Sequence, residues 1–358
     1  MTPASHSPAL SRALLARLPK IDLHRHLEGA LRLTTLYEIA SQYDLGLPTE
    51  SLEALRPYVQ MTKDEPDYRN FLDKFNYLRR FYQSPEWIHR LAYEVMEDAA
   101  SDNVRYLELR FTPPALAKAR GFSLEEVTDL VLEARQQALR NCPQIQVWLI
   151  ANVNRHESLE LAEQVVQLAL ERKDRGIVGL DIGGDEVNYS IQPFVPLLLD
   201  ARDAGLRLTV HAGEWTGPES VREAIESLSA DRIGHGVRVV EDPQVAALAR
   251  EHGTAFEVSL TSNLQTGVVS SMAHHPLRAM IDLGLKTTIN TDDPSISATT
   301  LTEEYETACD QLALTAAELQ AQVLTAAGST FRSPAEQARL ISKFAAEWQG
   351  ELAELGAA

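Results

Sequence analysis

The sequence predicts an α/β protein built as a single (β/α)8 barrel, with additional helices covering the C-terminal mouth. Three observations predict it. Eight short runs with strand character recur along the chain, and helical patterns separate them, the order expected of repeated β–α units. Several runs are nearly continuous in apolar residues, as parallel strands covered by helices are. No GxGxxG or GxxxxGKS/T turn occurs, so an open doubly wound sheet, the competing architecture, lacks the phosphate-binding turn it would use.

The strand-like runs are 20–27, 104–111, 146–153, 177–182, 207–212, 231–235, 255–260 and 286–291. The segment 28–103 is too long for one crossover, so lid helices are expected within it, over 34–43, 49–59 and 68–82. In 85–100, Ile88, Leu91, Val95 and Ala99 fall at helical spacing with charged residues opposite. In 159–173, Leu161, Val165, Leu168 and Leu170 form the expected buried face. Pro218 followed by Glu219 opens a helix over 218–228. Asp242 before Pro243 reads as an N-cap. Gly205, Gly253 and Gly284 sit between a helix and the next strand, where a left-handed C-cap is wanted. Residues 301–356 read as further packing helices. All of 1–358 is expected to form one domain.

Composition narrows the function classes. A hydrophobic content of 44% supplies a sizeable core. Lys and Arg total 33 against 51 Asp and Glu, a formal net charge of −18. Such a chain repels phosphate backbones and anionic membranes, so nucleic acid and membrane are poor partners. No run approaches the ~18 apolar residues of a membrane span. Met1 to Leu18 holds a short Ala/Leu patch without a long apolar region and small-residue cleavage site, and reads as a soluble lead-in to the first strand. Cys142 and Cys309 lie far apart and form no CxxC, which suits a reducing cytosol and a cytoplasmic location.

Chemistry gathers at the strand ends. In the first run, His24 and His26 are two apart and point the same way, so together they can grip one transition metal. His211 ends the fifth strand, His235 the sixth, and Asp292 and Asp293 the eighth. Each alone has a plain explanation as a hydrogen-bonded core histidine, a cap or a turn. Their conjunction at one barrel end does not. Three neutral imidazoles and one carboxylate leave a zinc one position for water, whose pKa falls from 15.7 toward ~7–9. A buried carboxylic acid must then carry the proton, and Glu214 is the candidate. Strict alternation sets His211 and Glu214 on opposite faces, but Gly213 lies between them and lets the chain turn. His235 is placed either to orient the activated water or to stabilise charge on the attacked carbon.

HRHLEGAL (24–31), GLDIGGDE (179–186), TVHAGE (209–214), RIGHGVR (232–238), TSNLQTG (261–267) and NTDDP (290–294) together resemble the metal-dependent adenosine deaminase family of the amidohydrolase superfamily. They stand in the family's order and span nearly all of 20–305. The resemblance implies one Zn2+ per chain on His24, His26, His211 and Asp292. It implies that Glu214 protonates purine N1 while activated water attacks C6, with His235, helped by Asp292, over that carbon. Asp293 would bind N7, and the Gly184 N–H would approach N3. The implied reaction turns adenosine or 2′-deoxyadenosine into inosine or 2′-deoxyinosine plus ammonia.

Two departures bear on the substrate. Glu28 stands where typical members carry Asp, at the position meeting the ribose 5′ end; it either shapes that end or pairs with the lid. The alternatives are a 5′-modified adenosine such as aminodeoxyfutalosine, or free adenine. The later motif, 261–267, matches the nucleoside-using branch, and Ser259-Leu260 replaces a usual Cys-Pro. The fourth run carries no lysine to bridge two metals, and the HxE and PCxxC signature of the other zinc deaminases is absent.

Overall fold

The computed structural model describes residues 10–356. Its centre is one eight-stranded parallel sheet with the strands in chain order. They are β1 (Lys20–His26), β2 (Val104–Phe111), β3 (Gln146–Asn154), β4 (Ile177–Gly183), β5 (Arg207–Ala212), β6 (Arg232–His235), β7 (Ala255–Val258) and β8 (Lys286–Ile289). Every expected run is a strand, and the sheet curls into the expected near-closed (β/α)8 barrel. Two runs end two residues early for local reasons. After β7 the chain turns into a short helix, Leu260–Gln265. After β8 the side chain of Asn290 takes over the pairing, its Oδ1 accepting Leu23 N–H at 2.9 Å.

The seam between β8 and β1 decides where the chemistry sits. Past Asn290, a parallel bridge joins Arg25 to Asp292. His26 N–H donates to the Asp292 carbonyl, and Asp292 N–H to the His24 carbonyl, both at 2.8 Å. The backbone that closes the barrel is therefore the backbone that carries His24, His26 and Asp292.

Helices cover the outside. Pro85–Ser101 buries Ile88, Leu91, Val95 and Ala99 as its periodicity predicts. Leu159–Glu171 is rotated from expectation: Ala162, Val165, Val166, Leu168 and Ala169 are buried, while Leu161 and Leu170 are half-buried. Small Ala side chains permit the closer approach, which a count of large apolar residues misses. Pro218–Leu228 forms as expected, and Asp242 caps Pro243–His252 by accepting Gln244 N–H at 2.7 Å. Gly205, Gly253 and Gly284 all take positive φ. The long insertion carries Leu33–Gln42, Leu52–Val59 and Tyr68–Leu78. The second begins later than expected because Ser51 caps it, and the third passes into a 3-10 turn at Arg79–Phe81. Leu301–Leu312, Ala316–Gly328 and Pro334–Gly356 follow β8. Within the lead-in expected over 1–18, Arg12–Arg17 is helical, and residues 1–9 lie outside the described residues. Among the described residues no helix is long and apolar enough to cross a membrane.

The barrel interior beneath the mouth is charged. Arg110, fully buried on β2, donates to Asp181 Oδ2 at 2.9 Å, to Glu257 Oε2 at 2.8 Å and to the Leu23 carbonyl. Arg232 donates to Glu257 from below and lies 2.7 Å from Glu108. Burial opposes ionisation of Glu257, but Arg110 and Arg232 hold it well below the usual carboxylate range. Removing one partner of such a buried network strands the other charges. Arg110→Ala is expected to lower the unfolding free energy by about 3–5 kcal/mol, read as a lower urea midpoint.

Candidate active site and metal centre

His24 and His26 project from the same side of β1, with ring centroids 5.2 Å apart. The ring of His211, at the end of β5, lies 4.8 Å from that of His24 and 5.4 Å from that of His26. Asp292 Oδ1 stands 3.1 Å from His24 Nε2 and 3.5 Å from His26 Nε2. His235, ending β6, places its ring 4.7 Å from that of His24. Ligand-capable atoms of His24, His211, His235 and Asp292 all lie within 4.8 Å of one another, and His26, His211 and Asp181 form a second, overlapping group. Three imidazoles and a carboxylate so gathered could hold one metal ion. His235 thus stands inside the tightest set, and His26 at its edge.

The donor set fits a cation. His24 Nε2 is buried without a hydrogen-bond partner and faces Asp292. The opposite nitrogens are tied down: His24 Nδ1 lies 2.9 Å from Glu257 Oε2, and His211 Nδ1 lies 3.0 Å from Asp181 Oδ1. Carboxylates at Nδ1 hold the proton there and turn the Nε2 lone pair outward, the usual support of metal-bound histidine. Burial opposes the charge on Asp292, but His235 and His24 hold its carboxyl well below the usual range, so it is anionic. Burial pushes His26 and His235 well below the ordinary histidine value, so both are neutral. His235 and Asp292 also hold left-handed backbone, φ 58° and 60°. Such strain costs roughly 1–3 kcal/mol per residue and collects at functional sites.

Glu214 follows β5 where Gly213 turns the chain with φ 65°. A Cβ there would meet Val221 Cγ2 at 2.5 Å, so only glycine fits. Glu186 fixes the turn: its Oε1 accepts Gly213 N–H at 2.5 Å and the Thr216 and Ser220 hydroxyls, and its Oε2 accepts the N–H groups of Glu214, Trp215 and Thr216. Glu214 Oε2 then lies 3.7 Å from His235 Nε2. Burial, then the charges of Asp292 and Glu186, raise the Glu214 carboxyl well above its usual range. That shift favours the protonated form that a proton donor needs.

Above these groups is a cavity of about 560 Å³ that opens between the strand ends and the Tyr68–Leu78 helix. Glu28, Gly184 and Asp293 line it as the sequence predicts. Asp293 is raised well above its usual range by burial and by Asp292, and its Oδ1 has no partner. Gly184 has φ 87°, and a Cβ there would stand 2.6 Å from His156 Nδ1. Glu28 Oε1 accepts Thr112 N–H at 2.6 Å and its buried Oε2 has no partner. Glu28 makes no ion pair within 4 Å among the described residues, and the charge of Arg79, at the end of the lid helix, acts on it.

Sequence reasoning missed the supporting residues. Asp181 and Glu257 are lone acids inside buried strands, which is the signal that could have found them. Ser262 and Asn263 lay in a matched motif without a role; Ser262 Oγ donates to Asp292 Oδ2 at 2.7 Å. Glu186 lay in a matched motif without a role, and Glu304 gave no local signal. Glu304 comes from the Leu301–Leu312 helix, 44 residues away, and accepts Leu260 N–H at 2.9 Å and Thr261 N–H at 3.3 Å, anchoring the helix of Ser262 and Asn263. Burial raises its carboxyl to about 7. The folded chain holds this proton more tightly than the unfolded one, so stability falls as pH rises from about 4.5 to about 7 and is then level, a change of about 3 kcal/mol. Glu304→Gln is expected to flatten that slope in urea unfolding between pH 5 and 8.

Comparison with known proteins agrees with this geometry. The adenosine deaminase family model matches residues 19–347. An adenosine deaminase of Serratia proteamaculans is 40% identical over 328 residues, covering 92% of this chain and 98% of the relative. Among solved structures, an amidohydrolase from Burkholderia ambifaria with bound Zn superposes with TM-score 0.88 at 26% identity, covering 100% of this chain and 98% of that one. An adenine deaminase from Arthrobacter aurescens gives TM-score 0.84 at 28% identity, covering 93% and 99%. By the extent of the family match and the identity of these relatives, the chain belongs to the adenosine deaminase family.

Proposed function

We propose that this chain hydrolytically deaminates a 6-aminopurine nucleoside, adenosine or 2′-deoxyadenosine, to inosine or 2′-deoxyinosine and ammonia. The observation that carries the reading is the placement of Glu214: a buried carboxyl, its pKa raised by burial, beside His235 and Asp292 and over a His/His/His/Asp group. His24, His26, His211 and Asp292 would hold one Zn2+, which when bound activates water for attack at neutral pH.

The chain's own residues do the rest. Glu214 donates its proton to purine N1, which withdraws electrons from C6 and makes that carbon the electrophile. The carboxylate so formed takes up the proton released as water adds, and can pass it to the departing amine. His235 stands beside both Glu214 and Asp292 and stabilises charge at the reacting carbon. Asp293, whose protonated form is favoured by burial and by the charge of Asp292, can in that form donate to N7, a base nitrogen that only accepts. With no side chain at Gly184, its N–H can approach N3. The lid helix Tyr68–Leu78 limits water at the mouth. The unpaired Cys142 and Cys309 suit a cytoplasmic enzyme.

One observation favours a second reading of the substrate. Glu28 lines the cavity and its Oε2 is buried without a partner, so the residue is placed to select the group on the sugar's 5′ side. The test is one panel: adenosine, 2′-deoxyadenosine, adenine and a 5′-modified adenosine, each followed by absorbance change and ammonia release. Adenosine and 2′-deoxyadenosine are expected to react with the highest kcat/KM. Efficient turnover of the 5′-modified compound or of adenine alone would replace the proposed substrate.

A further inference from the structure

Asn263 is fully buried between two buried histidines, and the protons around it can be assigned in sequence from a group that only donates. Leu277 N–H donates to His275 Nδ1 at 3.1 Å. That nitrogen is therefore bare, and a neutral His275 carries its proton on Nε2. Burial pulls His275 down to about 4, which keeps it neutral. His275 Nε2 lies 3.3 Å from Asn263 Oδ1 and donates to it. The opposite amide orientation would set N–H against N–H. Asn263 Nδ2 then faces His235 Nδ1 at 3.1 Å and donates in turn. His235 Nδ1 is an acceptor, so its proton sits on Nε2, the nitrogen 3.7 Å from Glu214 and 3.8 Å from Asp292.

His24 and His211 are held the other way round. Their Nδ1 atoms face the carboxylates of Glu257 and Asp181, which hold a proton there and leave Nε2 to a metal ion. One pocket thus contains imidazoles in two opposite tautomers, each set by a neighbour of opposite hydrogen-bonding character. A bare Nε2 suits a metal ligand. A protonated Nε2 does not, although His235 lies within the same compact group.

We propose that His275 and Asn263 are positioning residues that fix His235 in its Nε2–H tautomer, making it a hydrogen-bond donor into the reaction site rather than a metal ligand. The catalytic consequence rests on the deaminase reading above; the tautomer does not. An imidazole held in the wrong tautomer can cost a hydrolase about 10⁴ in kcat. Neither His275 nor Asn263 hydrogen-bonds His24, His26, His211 or Asp292 among the described residues, so loss of the relay should leave metal binding intact.

The experiment uses zinc-loaded protein labelled with 15N in its histidine rings, with the His235 signals assigned by their loss in His235→Gln. Ring 15N shifts are expected to show Nε2–H at His235. In Asn263→Asp the new carboxylate can only accept at His235 Nδ1, so the tautomer should invert. Then kcat for adenosine should fall about 100-fold, with KM within about threefold and zinc content unchanged. His275→Leu frees the Asn263 amide to turn, and should give mixed tautomers and about a tenfold loss of kcat. This second variant carries the test if Asn263→Asp does not fold. An Nδ1–H tautomer in the unaltered protein overturns the proposal. So does an unchanged tautomer in the folded variants, or an inverted one with full kcat. Unaltered protein that shows Nε2–H but leaves adenosine intact would instead remove the deaminase reading.

Discussion

Glu214→Gln is expected to lower kcat for adenosine by about a thousandfold or more, the range of a lost general acid. The amide keeps the shape of the side chain but has no proton to give at N1. KM should change little, because the purine still finds Asp293 and the Gly184 N–H. Metal content should also hold, since Glu214 is not needed to complete the His/His/His/Asp group. Stability should not fall. The amide keeps the shape of the Glu214 side chain and, like a protonated carboxyl, puts no charge beside Asp292 and Glu186. Steady-state kinetics, elemental analysis and a thermal melt on one preparation separate these effects. Turnover within a few-fold of the unaltered chain would remove Glu214 from the chemistry.

Asp292→Asn should be as damaging for a different reason. Asp292 supplies the only carboxylate of the four-residue group, accepts Ser262 Oγ–H, and closes the barrel seam through its backbone. Asn keeps the backbone pairing and tolerates the left-handed φ of 60°, so the barrel should still close. What is lost is the negative charge among imidazoles. Metal affinity and kcat should both drop, kcat by more than about a thousandfold, since a metal site supplies several kcal/mol of charge stabilisation. Zinc content and activity should fall together, in contrast to Glu214→Gln, where only activity falls. An active Asn variant that retains its zinc would contradict the assignment of Asp292.

The barrel was legible because its strands are apolar runs of the right length between amphipathic helices. Each strand end was legible too, as the apolar pattern gives way there to His24, His211, His235 or Asp292. What lay beyond sequence reading was support across the barrel. His24 depends on Glu257, 233 residues away, and His211 on Asp181, 30 residues away. A lone acid in a four-residue strand such as AFEV signals a buried partner but not which one. Glu186 is harder still. It lies in a matched motif, yet only the fold brings it under the turn that carries Glu214. The rotated face of Leu159–Glu171 shows a third kind of miss: Ala162 and Ala169 pack closely, and a count of large apolar residues passes over them. Glu28 was read as a departure, but the burial of its Oε2 without a partner depends on the folded surroundings, which no pattern encodes.

The most direct measurement strips the chain of metal with a chelator and returns Zn2+ in measured fractions, recording adenosine deamination at each step. Activity is expected to be undetectable in the stripped protein, to rise in proportion to added zinc, and to saturate at one equivalent per chain. Saturation at two equivalents, or deamination by the stripped protein, would contradict a single ion held at the seam of the barrel.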